Sequence, residues 1–66
     1  MNKGTVKWFN NKKGYGFIKA ENGDEVFVYW KSIQMDGFKK LVEGQNVKFE
    51  RKETEKGFEA FNVEAE

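Results

Sequence analysis

The chain has 66 residues, 12 basic and 11 acidic, with two tryptophans, two tyrosines and seven phenylalanines, and no cysteine, histidine or proline. A chain of this length is expected to form one small domain over residues 1–66, with a core that buries only about 60% of the extended chain's surface. The missing residue types exclude disulfides, thiolate and imidazole metal ligands and the usual activated nucleophiles, so no metal, cofactor or catalysis is expected.

Charge is uneven along the chain. Residues 1–20 carry Lys3, Lys7, Lys12, Lys13 and Lys19 and no acid, although the whole chain has a net charge of only +1. A basic N-terminal third suits a polyanionic partner, while lysines on a solvated face are the plainer explanation. No run approaches the roughly 20 apolar residues of a bilayer-spanning helix, and the opening MNKGTVKWFN lacks the apolar stretch of a signal peptide, so a cytoplasmic protein is expected.

In chain order, GTVKWFN (4–10) reads as a first strand, Lys12-Lys13-Gly14 as a turn and YGFIKA (15–20) as a second strand. Asn22-Gly23 is the strongest hairpin signal, because both residues tolerate positive φ in a type I′ turn. EVFVYW (25–30) is the third strand. Residues 31–45 are irregular, with one short helical turn at Lys31-Ser32-Ile33. NVKFERK (46–52) and FEAFNVE (58–64) are the fourth and fifth strands, joined around Glu55-Lys56-Gly57. No segment sustains a 3.6-residue apolar period, and five strands without a helix indicate an all-β barrel or sandwich.

Side chains alternate between the two faces of a strand. Tyr15, Phe17 and Lys19 therefore share one face of the second strand, opposite Gly16 and Ile18. Phe27 and Tyr29 share one face of the third, opposite Val26 and Val28. Pairing the strands symmetrically about Asn22-Gly23 would mix these faces. One unpaired residue or a bulge in the ENGDE loop aligns ring with ring, and is expected because it leaves one wholly aliphatic face to close a core. That core is Val6, Ile18, Val26, Val28, Ile33, Leu41, Val47 and Val63, with Phe9 and Phe49. Trp8 has the parity of Val6, so placing it with the outer rings requires an irregularity between the two. A contiguous set of exposed rings usually marks a binding site. Rings at strand spacing among Lys7, Lys13 and Lys19 suit single-stranded nucleic acid, with bases on the rings and phosphates at the ammonium groups. Gly14 and Gly16 either clear the path of that strand or serve backbone geometry.

KGYGFI followed by FVYW resembles the two ribonucleoprotein motifs of the bacterial cold-shock protein family. GTVKWFN, GFKKL, EGQNVKFE and AFNV extend the match, in order and spacing, over essentially the whole chain. The resemblance implies a five-stranded antiparallel β-barrel of the oligonucleotide-binding (OB) type. It implies an RNA chaperone and regulator in cold adaptation that binds single-stranded RNA and DNA with low sequence specificity and a pyrimidine preference. A monomer without an obligate protein partner is expected. On matching positions the binding residues are Lys7, Trp8, Lys13, Tyr15, Phe17, Phe27, Trp30 and Phe38, with Tyr29 as a further ring and Lys39 as a phosphate contact. Glu25 stands where the family often has an aspartate that hydrogen-bonds a base.

The chain departs from the family pattern in several places. Tyr29 replaces a usual histidine, which keeps a stacking ring and removes a titratable one, so affinity should be nearly flat from about pH 5.5 to 8. Gly57-Phe58-Glu59-Ala60-Phe61 replaces glycine-proline-glutamine-alanine-alanine. Phe61 has the parity of Val63 and is expected to point inward, restoring apolar volume missing at Arg51, where the family often has an aliphatic residue. Phe58 extends the aromatic platform or covers the barrel rim, and Glu59 brings negative charge to the strand path.

Two other functions compete. The rings can dock a protein or a second copy, or stack on sugars, although the lysines argue against neutral sugars. An enzyme is disfavoured: Asp24 and Glu25 are adjacent and so point to opposite faces of a strand. The alternative fold, an RNA recognition motif, needs two helices that the sequence does not show.

Overall fold

The computed structural model describes residues 2–34, 41–55 and 57–66. Five strands are present: β1 (Asn2–Asn10), β2 (Tyr15–Ala20), β3 (Glu25–Tyr29), β4 (Asn46–Thr54) and β5 (Gly57–Ala65). A 3₁₀ turn at Trp30–Ser32 follows β3. The strands close into a barrel in the order β1-β2-β3-β5-β4, which is the expected five-stranded OB-type architecture. Four seams are antiparallel; β3 and β5 meet in a short parallel seam, Phe27 beside Glu59 and Val28 beside Ala60. Closure pairs the strand edges that would otherwise be open to other chains.

The eight aliphatic residues expected inside are all buried, together with Phe49, Ala20 and Ala60, while Phe9 and Phe58 pack against them from the rim. Fully burying a side chain of this size contributes about 1.5–3 kcal/mol. Among the described residues no polar side chain enters the core, and no buried side-chain nitrogen or oxygen lacks a partner.

Two local irregularities put the aromatic residues outside. In β1 the register shifts between Val6, which pairs with Ile18, and Trp8, which pairs with Phe17. Lys7 is the extra residue of this bulge, and it lets Val6 and Trp8 take opposite faces despite equal parity. In the β2–β3 hairpin the register is centred on Asn22, which sets Tyr15 against Tyr29, Phe17 against Phe27 and Ile18 against Val26. The turn differs from the type I′ expectation. Ala20 and Asp24 flank a three-residue loop in which Gly23 alone has positive φ, 94°. Asn22 acts through its side chain: its Oδ1 accepts from the Asp24 amide at 3.1 Å. A three-residue loop ending in a left-handed glycine shifts the pairing by the one residue that the ring alignment needs.

Phe61 corrects an expectation. It does not fill the core. Asn62 adopts φ 51°, so the alternation of β5 breaks between Phe61 and the buried Val63. Phe61 lies half-buried on the outside, with the Lys52 ammonium 5.3 Å from its ring centroid. Arg51 therefore receives no compensating apolar volume from it. Instead Arg51 turns over the barrel end, its guanidinium 4.6 Å from the Phe58 ring centroid and its Nη1 3.1 Å from Asp24 Oδ2. That stack makes Phe58 a cover for the barrel rim.

Neither glycine of the KGYG segment opens the outer face. Gly16 points inward, where a Cβ would meet the Trp8 carbonyl oxygen at 2.2 Å and Phe9 Cα at 2.7 Å. Gly14 has φ 77°, and Trp30 lies against it, so that a Cβ added there would stand 2.3 Å from ring atom Cδ1.

Candidate nucleic-acid interface

The outer face of β1, β2 and β3 carries a connected strip of rings. Trp8 meets Tyr15 at 5.7 Å and Phe17 at 5.6 Å between centroids. Phe27 lies 5.8 Å from Tyr15, 5.4 Å from Phe17 and 4.7 Å from Tyr29. Most of these contacts are edge-to-face or tilted, a preferred aromatic geometry that steadies the rings against one another. Tyr15, Phe17 and Phe27 are half-buried, whereas Trp8 and Tyr29, at the margins of the strip, are 37% and 45% exposed. Trp30 is 44% exposed on the turn after β3, with its amide donating to the Gly14 carbonyl at 2.8 Å.

Two of the expected lysines border this strip. Lys7, on the β1 bulge, is exposed and its Nζ lies 2.9 Å from Glu25 Oε2. Lys13 is exposed on the β1–β2 turn. That turn depends on Asn10, which the sequence reasoning missed. Asn10 Oδ1 accepts from the amides of Lys12 at 3.0 Å and Lys13 at 2.9 Å, and its carbonyl accepts from Gly14 at 2.7 Å. An asparagine just before a lysine-lysine-glycine turn is the signal that identifies it, since its side chain can close a turn two residues on. The structure thus brings Trp8, Tyr15, Phe17, Phe27 and Tyr29 into one strip, with Lys7 on its β1 bulge, Lys13 on the β1–β2 turn and Trp30 against Gly14 of that turn. Phe38 and Lys39 lie outside the described residues.

Beside the strip, where β3 meets β5, an open groove runs toward the β4–β5 turn, bounded by Phe27, Tyr29, Phe58, Glu59 and Glu25. Among the described residues no group of three or more acidic side chains is placed to hold a metal ion. No helix there is long and apolar enough to cross a membrane.

A small five-stranded barrel in the order β1-β2-β3-β5-β4 belongs to the class of oligonucleotide-binding folds. The family model for the 'Cold-shock' DNA-binding domain matches residues 2–66, and the chain belongs to this family of nucleic-acid-binding domains. It is 56% identical over 64 residues to cold shock protein CspC of Bacillus subtilis, covering 97% of each chain. It is likewise 56% identical over 61 residues to a cold shock-like protein of Thermotoga maritima, covering 92% of each. Among solved structures, the Drosophila Unr CSD456 chain matches with a TM-score of 0.79 at 17% identity. That match spans 98% of this chain and 26% of the longer one, and it supports the fold.

Proposed function

We propose that this chain binds single-stranded RNA and DNA by stacking bases on Trp8, Tyr15, Phe17, Phe27, Tyr29 and Trp30, with Lys7 and Lys13 meeting phosphates. Phe38 completes the site by resemblance, and Lys39 beside it in the sequence serves as a further phosphate contact. The observation that carries this reading is the unbroken run of ring contacts on the outer face, above the buried Ile18, Ala20, Val26 and Val28 on the inner face of the same strands. Rings accept any base face, so sequence specificity is low, with pyrimidine-rich strands preferred. The chain acts as a cytoplasmic monomer in the manner of an RNA chaperone and performs no catalysis.

Titration of Trp8 and Trp30 fluorescence with oligothymidine over a salt series tests this. With two to four phosphate contacts, the slope of log affinity against log salt is expected at about −1.4 to −2.8. A slope steeper than about −5 would make charge rather than stacking the main source of affinity. Unchanged fluorescence at micromolar oligothymidine would assign the rings to a different partner.

A further inference from the structure

The groove between the aromatic strip and the β4–β5 turn has a volume of about 710 Å³, and Phe17, Phe27 and Phe58 line it. That is room for a nucleobase and its sugar. Of the carboxylates along it, Asp24 already accepts from Arg51 at 3.1 Å and from Asn22 at 3.0 Å. Glu25 accepts from Lys7 at 2.9 Å. Glu55 is exposed on the turn itself. Glu59 is different. It is half-buried, and it stands beside Phe27 across the parallel seam, so its side chain leaves the sheet on the aromatic side. It makes no hydrogen bond or ion pair with a described residue. Lys52 is its cross-strand neighbour on β4, but the Lys52 ammonium lies over Phe61.

Resting on the single-strand reading of the outer face, we propose that Glu59 determines base specificity at the Phe27 position. It selects a base that carries an exocyclic amino group and disfavours uracil and thymine. An ionised carboxylate only accepts hydrogen bonds. Cytosine offers it the N4 amino group; uracil presents a carbonyl oxygen at the same corner, whose lone pairs oppose those of the carboxylate. The N3–H of uracil remains a donor but is flanked by two carbonyl oxygens. The same negative charge repels phosphate, so a base edge rather than the backbone turns toward β5. The site therefore discriminates within the pyrimidine class.

The test uses the full chain, hexadeoxyuridine, and variants of that strand carrying one cytosine at each position in turn, read by tryptophan fluorescence at fixed salt. At one position cytosine is expected to bind roughly fivefold to tenfold tighter than uracil. Glu59→Gln should bring that ratio within about twofold, because a neutral amide both accepts and donates. Glu59→Lys, a donor in place of an acceptor, should turn the preference toward uracil. Binding without any cytosine preference, or a preference that survives Glu59→Lys, overturns the proposal and leaves the single-strand reading standing. Absence of binding by every strand at about 100 μM overturns that reading and the proposal together.

Discussion

The β1–β2–β3 sheet and the β4–β5 hairpin line the same core but present opposite chemistry to water. Ile18, Val26 and Val28 from the first region and Val47, Phe49, Ala60 and Val63 from the second are equally buried. Outside, the first region carries Trp8, Tyr15, Phe17, Phe27 and Tyr29 in mutual contact. The second carries Glu50, Lys52, Glu53 and Glu59, and its rings lie under cations, Phe61 beneath Lys52 and Phe58 at the rim beneath Arg51. Core packing therefore does not distinguish the two regions; outer-face chemistry does. One side holds flat apolar groups ready for a flat ligand, and the other surrounds it with charges that restrict how that ligand lies.

The sharpest way to break this comparison is to remove one ring from each side of the same wall. Phe49→Ala takes a fully buried ring from β4 and is expected to cost about 3–5 kcal/mol, close to the whole stability of a domain this small. Thermal melting by circular dichroism should find it largely unfolded at 25 °C. Phe27→Ala takes a half-buried ring from the outer face of β3. It should keep a cooperative melt and lose about 5- to 150-fold in affinity for oligothymidine, the equivalent of roughly 1–3 kcal/mol for one stacked base. A folded Phe49→Ala beside an unfolded Phe27→Ala would reverse the assignment of faces.

A smaller effect is expected where the two regions are tied together. Arg51 of β4 lies over Phe58 of β5 and pairs with Asp24 at the β2–β3 hairpin. Arg51→Ala removes a part-exposed cation–π contact and a part-exposed ion pair, each worth up to about 1 kcal/mol. We expect a loss of about 1 kcal/mol, partly masked at high salt, with oligothymidine affinity changed less than about twofold. If affinity falls with stability intact, the barrel end positions the binding face as well as closing it.

The first region was the more legible in the sequence, for physical reasons. Strict alternation in YGFIKA and EVFVY leaves only two ways to face the sheet, and only one of them closes an aliphatic core. The bulge at Lys7 followed from the same argument, because Val6 and Trp8 cannot share a side. The hairpin type was not legible: Asn22-Gly23 fits two turns, and the choice lies in whether Asn22 uses its backbone or its side chain. In the second region parity failed at Phe61, because the left-handed Asn62 resets the alternation; asparagine tolerates that conformation better than most residues, but its type alone does not fix it within a strand. The inward placement assumed for Phe61 came from counting, and counting holds only along an unbroken strand. Arg51 and Phe58 were unreadable for another reason: a charged residue at an inward position looks like a defect until its partner across the barrel end is seen.

The smallest expected effect concerns the one acid on the aromatic side of β3. Glu25 holds Lys7 at 2.9 Å, with the two side chains 53% and 49% exposed. An exposed pair of this kind is worth at most about 1 kcal/mol. A phosphate that recruits Lys7 must first separate it from Glu25, so the carboxylate opposes binding by up to that amount. Glu25→Gln should therefore raise oligothymidine affinity by up to about fivefold at low salt. The salt slope should stay the same, because Lys7 meets a phosphate in either case. The gain in affinity should vanish when Lys7→Gln is added. The contrary result is equally informative. Were Glu25→Gln to weaken binding at every salt concentration, Glu25 would itself be contacting a base, and the ion pair would be a resting position that the bound strand replaces.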